Sequence, residues 1–367
     1  MLTYFKNLYK FTVQTIFKLI YGQIRIASNI EIDQSLNVNK IKIDEINYNV
    51  FKIKKSRLFT TSVHDQSIIV NNKLISGPSF QLRVKEGDKL FARNNADIKE
   101  NISLKIGTPR FKKKLKGKVF SLLSGGAAKT NYFHWLFEIL PKLEIVKRFE
   151  SLQNFDYFLL PSTRMKHHLE TFELLDIPVK KLLDSNSFKH ISCDEITVVD
   201  HPFRITNNTV YDTQNIPTWI FNWLRKEFLK HKSKNNFPKK IFIDRPESIS
   251  KYRRFDNHKE VYDIFRKFNY EFIQPERYSV KDQINMYYSA KEIAGLHGAG
   301  FANICFCEPN TKIIEFKTAG TGMNTGNIAI KNNLDYRGII CEAIGDFGAQ
   351  QGQLIVPMEN VKKIFNI

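Results

Sequence analysis

Residues 292–303 read EIAGLHGAGFAN, an apolar strand that runs into a glycine-rich turn and then into a short helical pattern. Glycines at such a turn let backbone amides approach a ligand closely, and a helix N-terminus favours negative charge, so a diphosphate suits this position. The turn lacks the G-x-G-x-x-G of dinucleotide enzymes, and no P-loop lysine follows it. These absences argue against a dehydrogenase or a kinase. The alternative to a ligand site is a tight strand-to-helix turn.

Strands and helices alternate around this turn in two series. In the C-terminal half, strands are predicted at 240–243, 270–273, 292–295 and 312–315, with helices at 258–268 and 280–289. In the N-terminal half, strands are predicted at 117–123, 155–160 and 195–199, with helices at 132–149 and 165–175. We therefore expect an α/β fold of two doubly wound, Rossmann-like units that face each other across a cleft, with ligands at the carboxyl ends of the strands.

The length of the chain predicts more than one domain. Its 367 residues exceed the ~250 to 300 over which a single hydrophobic core usually keeps growing. The predicted divisions are a basic amphipathic helix at 1–29, an N-terminal domain at 30–205, a C-terminal domain at 206–345, and a tail at 346–367 that packs back on the N-terminal domain. Short alternating runs make the first part of the N-terminal domain β-rich.

The charge of the chain narrows its partners to anions. With 56 Lys and Arg against 37 Asp and Glu, the net charge is +19, which attracts phosphates, anionic lipids and nucleic acid alike. Nucleic acid is not the expected partner, because the sequence shows no aromatic RNA-binding strand motif, zinc finger or compact recognition helix.

Among the four cysteines, Cys305 and Cys307 lack the two-residue gap of zinc pairs. We therefore expect no metal site and a cytoplasmic location.

The first 26 residues carry apolar side chains at helical spacing, interrupted by lysines and an arginine. They contain no run long enough for a transmembrane span and no secretory signal. Two interpretations stay open: a helix on an anionic membrane surface at the inner face of the cell membrane, or a helix packed on its own domain.

Three arginines stand near the glycine turn in the predicted fold. Arg245 follows the strand at 240–243, and Arg253 and Arg254 come shortly before the next helix. Guanidinium groups at the carboxyl edge of a parallel sheet can hold a diphosphate through charge-assisted bonds. Glu315 ends the strand after the turn, where its carboxylate could accept bonds from ribose hydroxyls. The alternatives are a solvated basic face for the arginines and a surface ion pair for Glu315.

His134 and Glu138 lie four residues apart on the predicted helix at 132–149, away from its apolar stripe. Such a pair suits a proton-abstracting base oriented by its neighbour. The sequence gives a small preference to Glu138 as the proton acceptor. The alternative is an exposed contact worth only about 0.5 kcal/mol. Pro141 predicts a kink or break just past the pair.

These motifs, in their order and spacing, resemble glycosyltransferase family 61, which includes bacterial capsular-polysaccharide enzymes. The resemblance covers roughly residues 67–316. It rests on residues 131–138, Arg245, the run RRFDNHKE at 253–260, the turn HGAGFAN at 297–303, Pro309 and Glu315.

The resemblance implies a GT-B architecture and an inverting hexosyl- or pentosyltransferase that needs no cofactor. Its substrate would be a nucleotide sugar, with a UDP-sugar favoured, bound mainly by the domain at 206–345. Carried over by position, the residues of that site would be Arg245, Arg253, Arg254, His297, Gly298, Ala299, Gly300, Asn303 and Glu315. His134 and Glu138 would serve the acceptor, an oligosaccharide, polysaccharide or lipid-linked glycan of surface or capsular polysaccharide biosynthesis. The chain departs from bacterial members at Asp244 and Asn310, beside the expected phosphate site.

The expected mechanism is a single displacement, in which a base from the N-terminal domain deprotonates the acceptor while arginines and amide dipoles stabilise the leaving diphosphate. The chain contains no Asp-x-Asp, so fixed positive charge is expected in place of a metal ion. The competing hypotheses are a catalytically inactive, glycan-binding family member and a basic nucleic-acid-binding protein.

Overall fold

The computed structural model describes residues 2–28, 35–86, 89–92, 98–125, 128–206, 208–233, 236–245, 253–344 and 352–367. The chain divides into two compact units. Unit 1 holds Met1–Phe172 and Ile177–Thr209, and unit 2 holds Glu173–Asp176 and Val210–Ile367. Both units contain parallel strands with helices, so the expected α/β class is confirmed. The GT-B arrangement stays a prediction.

Unit 1 is built on a mixed sheet. The strands of that sheet are β1 (Arg25–Ile26), β2 (Leu36–Ile43), β3 (Ile46–Phe59), β4 (Asp65–Val70), β5 (Lys73–Leu74), β6 (Phe80–Gln81), β9 (Lys113–Lys114), β10 (Lys118–Ser121), β11 (Tyr157–Leu160), β12 (Leu182–Asp184) and β13 (His190–Val199), and β7 (Arg83–Glu86) and β8 (Lys89–Ala92) form a separate two-stranded sheet. The main path runs β1-β5-β4-β3-β13-β10-β11-β12. Strand β13 is parallel to β10 but antiparallel to β3, with His190 opposite Phe59.

The ladder between β3 and β13 joins the β-rich N-terminal stretch to the parallel strands. Side chains from both parts share one core, in which Ile53, Val119 and Ile196 are fully buried. Burial of each such side chain stabilises the fold by about 1.5 to 3 kcal/mol. The sequence predicts strands in both regions, but not that they form one sheet.

The helices of unit 1 include one that is interrupted. They are α1 (Leu2–Tyr21), α2 (Ile102–Ile106), α3 (Tyr132–His134), α4 (Pro141–Lys147) and α5 (Lys166–Leu174). Between α3 and α4 the chain makes a π turn over Trp135–Ile139, closed by a 3.2 Å bond from the Leu140 amide to the Trp135 carbonyl. Pro141 has no amide hydrogen to continue the helical bonding, so the helix breaks where the sequence predicts.

Helix α1 packs on unit 1 only through its last turns. Residues 3–12 are exposed, whereas Phe17 is buried edge-on against Phe111 with ring centroids 5.0 Å apart. Arg57 donates a 3.2 Å hydrogen bond to the carbonyl of Tyr21, which ties down the end of the helix. Among the described residues, no helix combines the length and apolarity needed to cross a bilayer.

Unit 2 is built on a parallel five-stranded sheet. That sheet contains β14 (Lys240–Ile243), β16 (Glu271–Ile273), β17 (Glu292–Leu296), β18 (Lys312–Lys317) and β19 (Asp335–Ile340), and a separate three-stranded sheet contains β15 (Arg253–Phe255), β20 (Glu342–Ile344) and β21 (Gly352–Ile355). Its helices are α6 (Thr209–Gln214), α7 (Thr218–Phe228), α8 (His258–Lys267), α9 (Val280–Ser289), α10 (Asn324–Lys331) and α11 (Met358–Phe365), with a 3₁₀ segment at Ala299–Phe306. The order β16-β14-β17-β18-β19 reverses direction at β14, so the switch point lies between β14 and β17.

The described part of the tail belongs to unit 2, which corrects the prediction that residues 346–367 pack back on the N-terminal domain. Strand β21 pairs with β15 and β20. Phe365 of α11 stacks on Phe268 with centroids 4.1 Å apart and lies edge-on to Phe265. The tail packs here because Phe365 and the aromatic rings of Phe265, in α8, and Phe268, just after it, bury apolar surface against one another.

Candidate active site

His134 and Glu138 form a hydrogen-bonded pair at the interrupted helix. Asn131 caps the start of α3 by accepting a 2.9 Å bond from the Phe133 amide. His134 Nδ1 lies 2.7 Å from Glu138 Oε1, and the side chains are 25% and 0% exposed respectively. The pair is therefore not an exposed surface contact. A carboxylate that holds Nδ1–H leaves Nε2 as the nitrogen that can take up a proton.

Two further side chains, Arg204 and His201, approach the same carboxylate. Arg204 Nη2 lies 3.2 Å from Glu138 Oε1, and His201 Nε2 lies 3.6 Å from Oε2, beyond hydrogen-bond distance. His201 Nδ1 accepts bonds from the amides of Phe203 and Arg204, so a neutral ring carries its proton on Nε2, toward Glu138.

The charges around Glu138 fix its ionisation. Burial raises the pKa of Glu138, but the charges of Arg204 and His134 outweigh that effect and hold its pKa well below the ordinary value. Burial and the charge of Arg204 lower the pKa of His201 to about 3. At neutral pH the cluster therefore contains a carboxylate, a guanidinium and a neutral His201.

Neither His201 nor Arg204 was predicted from the sequence as a site residue. Glu138 and Arg204 are 66 residues apart, so no local spacing connects them. The available signal was position in the chain. His201 and Arg204 follow the carboxyl end of β13, which is parallel to β10, and functional side chains gather at the carboxyl ends of parallel strands.

In unit 2, Arg245 and His297 meet at the switch point. Arg245 follows β14 and His297 follows the neighbouring β17, and Arg245 Nη2 donates a hydrogen bond to the His297 carbonyl. A Cβ on Gly298 would lie 2.2 Å from Arg245 Nη2, and one on Gly295 would lie 2.9 Å from the Cβ of Ile243. A side chain at Gly295 would therefore collide with strand β14, and one at Gly298 would displace the Arg245 guanidinium from its present position.

Glu315 lies behind His297. It is fully buried, and its Oε1 is 2.6 Å from His297 Nδ1. Thr325 donates to the same oxygen, and the Tyr336 hydroxyl donates to Oε2 at 2.6 Å. Burial raises the pKa of Glu315, but the bond and charge of His297 outweigh it and hold the pKa below the ordinary value. Glu315 is therefore placed to orient His297, whereas its bonding to ribose stays a prediction.

The remaining predicted residues occupy different surroundings. Arg254 lies in β15 beside Gln353 of β21, whose side-chain oxygen accepts from Arg254 Nε at 3.1 Å once the amide is turned to face the guanidinium. The side chain of Arg253 is outside the described part. Asn303 is buried and donates to Gln283 at 3.0 Å. Ala299 and Gly300 form the turn itself, with the Gly300 carbonyl 2.9 Å from the Tyr287 hydroxyl. The structure thus brings together Arg245, His297, Gly298 and Glu315.

Asp244, one of the two departures from bacterial members, is engaged by a neighbouring helix. Its Oδ1 accepts from the Tyr262 hydroxyl of α8 at 2.6 Å. Burial and this bond raise the pKa of Tyr262, which keeps the hydroxyl protonated as the hydrogen-bond donor. The Asp244 carboxylate, which precedes Arg245 in the chain, is therefore held by the Tyr262 hydroxyl.

Comparison with known proteins identifies the family. The model of a family described as Glycosyltransferase 61 matches residues 132–314, from the start of α3 into β18. No curated protein is similar enough to match. The matched region contains both the His134–Glu138 pair and the Arg245–His297 turn, and the family acts on a sugar donor and a glycan acceptor. The chain therefore belongs to glycosyltransferase family 61.

Proposed function

We propose that this glycosyltransferase works by a single inverting displacement without a metal ion, moving a hexosyl or pentosyl group from a UDP-sugar to a glycan acceptor in surface or capsular polysaccharide synthesis. The observation that carries the mechanism is the 2.7 Å contact between His134 Nδ1 and the buried carboxylate of Glu138. A buried carboxylate that orients a partly exposed imidazole is the arrangement of a general base.

His134 is the proposed proton acceptor, which reverses the small preference for Glu138. Glu138 is fully buried, and its Oε1 already binds His134 and Arg204. His134 Nε2 takes the proton of the acceptor hydroxyl as its oxygen bonds to the anomeric carbon. The bond from that carbon to the diphosphate breaks, and the nucleotide leaves with the electron pair. Attack opposite the leaving group inverts the anomeric centre.

The leaving diphosphate is the proposed ligand of the switch point in unit 2. Arg245 supplies a permanent positive charge there, and the glycine turn lets amides approach the phosphates. Preorganised charges of this kind stabilise a leaving group where the negative charge develops. His297, held by Glu315, adds a second hydrogen-bonding group beside the turn.

The proposed site of action is the cytoplasmic face of the membrane. All four cysteines are buried and unpaired, which fits a reducing compartment. The exposed part of α1 carries aromatic and aliphatic side chains with Lys6 and Lys10, and the helix contains no acidic residue. Apolar side chains with lysines match a bilayer surface that contains anionic lipid.

The test of the reaction follows the configuration of the product. A thermal-shift screen first selects the nucleotide sugar, since a ligand at one hundred times its Kd stabilises by about 2.7 kcal/mol. We expect NMR of the anomeric proton to show an inverted linkage, with turnover unchanged in excess chelator. A retained configuration would reject the single displacement. Activity lost in chelator and restored by magnesium or manganese would reject metal independence.

A further inference from the structure

A cavity of about 530 Å³ lies within unit 1, at the carboxyl end of β13. Its wall includes residues 76–82, Ser124, Lys142 of α4, Asp200, His201 and Arg204. The link to the proposed base is Arg204, which both lines the cavity and binds Glu138. No step of the mechanism above uses this space.

Lys142 is an unusual wall residue because it is only 2% exposed. Its Nζ donates a 2.5 Å hydrogen bond to the carbonyl of Leu123. An ammonium has three N–H groups, and leaving them unsatisfied in a buried position costs free energy. Lys142 therefore offers hydrogen bonds to whatever occupies the cavity.

Other buried polar atoms around the cavity also need acceptors. Arg204 Nε and His201 Nε2 have no hydrogen-bond partner in the described part of the protein. Of the nearby acids, Asp200 Oδ2 accepts from the Asn49 amide at 2.7 Å and from its side chain at 2.8 Å. Glu138 Oε1 binds His134 and Arg204, whereas Glu138 Oε2 has no hydrogen-bond partner among the described residues and lies 3.6 Å from His201 Nε2. Lys142 Nζ and Arg204 Nε therefore keep donor capacity for a ligand in the cavity, while His201 Nε2 faces the Oε2 atom of Glu138.

We propose that this cavity binds an oxyanion carried by the glycan acceptor, with Lys142 and Arg204 as its ligands. A carboxylate or phosphate supplies several acceptor oxygens and the negative charge that these two cations favour. The anion would anchor an acidic or phosphorylated sugar so that a hydroxyl lies near His134. This inference rests on the proposed function, because it assigns the cavity to the acceptor.

Binding of simple probes tests the charge selectivity. By NMR titration at pH 6, methyl β-D-glucuronide and glucose 6-phosphate should bind more tightly than the neutral methyl β-D-glucoside. The two anionic probes distinguish a carboxylate from a phosphate source. Equal affinity for all three compounds would overturn the proposal without any mutation.

Lys142→Met tests the assigned residue, because methionine keeps much of the volume and removes the charge. We expect the affinity for the preferred anion to fall roughly ten- to hundredfold, the range of one charge-assisted bond. Binding of the neutral glucoside should not change. The control is Lys147→Met, the same substitution at an exposed position of α4. Equal losses in both variants, or none in Lys142→Met, would contradict the role of Lys142.

The dependence on pH provides a second readout. Burial lowers the pKa of Lys142 to about 7, although Asp200 of the β13 end and Glu138 of the π turn act to raise it and Arg204 acts to lower it. Glucuronide binding by the unmodified protein should therefore weaken between pH 6 and pH 8. The affinity of Lys142→Met for the glucuronide should not change over the same pH range. An identical pH profile in both proteins would overturn the proposal.

Failure of this inference is distinguishable from failure of the proposed function. If the unmodified enzyme and Lys142→Met both transfer sugar equally well to neutral and anionic acceptors, the protein is a glycosyltransferase but the cavity is not an anion site. If the anionic probes bind more tightly than the neutral glucoside but no nucleotide sugar is turned over, the anion site is supported and the proposed reaction is rejected.

Discussion

At the scale of single residues, the decisive feature of unit 1 is that Glu138 is buried and His134 is partly exposed. His134→Ala should lower kcat by about 10²- to 10⁴-fold, the usual contribution of a general base, with little change in nucleotide affinity. Glu138→Gln should lower kcat as well and alter the pH profile, because His134 loses the carboxylate that orients it. Steady-state kinetics and nucleotide titrations measure both effects.

The matched control is Glu144→Gln. Glu144 lies in α4 and pairs with Arg148 at 2.7 Å, so the substitution also removes a carboxylate from a salt bridge. We expect kcat to stay within about twofold of the unmodified enzyme, since loss of one such pair costs little. Full turnover in both His134→Ala and Glu138→Gln would show that the base lies elsewhere.

Glu315 supports a prediction about stability and pH. Removing one partner of a buried pair costs about 3 to 5 kcal/mol, so Glu315→Gln should lower the free energy of unfolding at pH 7. The folded-state pKa of Glu315 is depressed, so its contribution is present above its unfolded pKa near 4.5 and is lost as the pH falls through the folded value. The difference in the free energy of unfolding between the unmodified protein and Glu315→Gln should therefore become smaller below pH 4.5.

Chemical denaturation at pH 7 and at pH 3.5 measures this difference. The control is Glu271→Gln, which changes an exposed carboxylate in the same sheet and should leave the free energy of unfolding nearly unchanged. A constant difference between Glu315→Gln and the unmodified protein at both pH values would contradict the assignment.

At the scale of elements, α1 has two parts with different expected roles. Residues 3–12 are exposed, whereas the last turns hold Phe17 against Phe111 and Tyr21 against Arg57. Deleting residues 2–12 should abolish co-sedimentation with vesicles of phosphatidylcholine and phosphatidylglycerol while leaving the melting temperature nearly unchanged. Each lysine near an anionic surface contributes about 1 kcal/mol, so binding should also weaken in high salt.

Two controls sharpen this experiment. Vesicles of phosphatidylcholine alone should bind the full chain more weakly, and Lys6→Glu with Lys10→Glu should reduce binding without removing apolar surface. Unchanged sedimentation after the deletion would exclude α1 as the membrane-binding element. A large fall in melting temperature would instead indicate that residues 2–12 stabilise the fold.

At the scale of the whole molecule, each unit carries its own set of functional groups. Arg245→Met should weaken UDP binding by about 1.5 to 3 kcal/mol per charge-assisted bond lost, with probe binding in unit 1 unchanged. Arg337→Met is the control, since Arg337 is half-exposed beside Asp335 in the same sheet. Calorimetric titration with UDP measures the effect. Equal UDP affinity in Arg245→Met and Arg337→Met would remove Arg245 from the nucleotide site.

Features set by neighbours along the chain could be predicted from the sequence alone. Alternating strands and helices follow from local periodicity, and the helix break follows from Pro141, which has no amide hydrogen. The glycine turn at 295–300 and the four-residue spacing of His134 and Glu138 could also be identified from the sequence, because each depends on residues close together in the chain. Their physical causes act over a few residues, so no other part of the chain was needed to identify them.

Only the tertiary structure decided which distant residues meet. The ladder from β3 to β13 fixes the carboxyl end of β13, and that position brings His201 and Arg204 to Glu138. Burial of Glu138 and Glu315, the cavity beside Lys142 and the packing of Phe365 on α8 depend on the same long-range contacts. A sequence pattern records which side chains are apolar or charged, but long-range strand pairing and packing determine which of them lose water and which charges they then face.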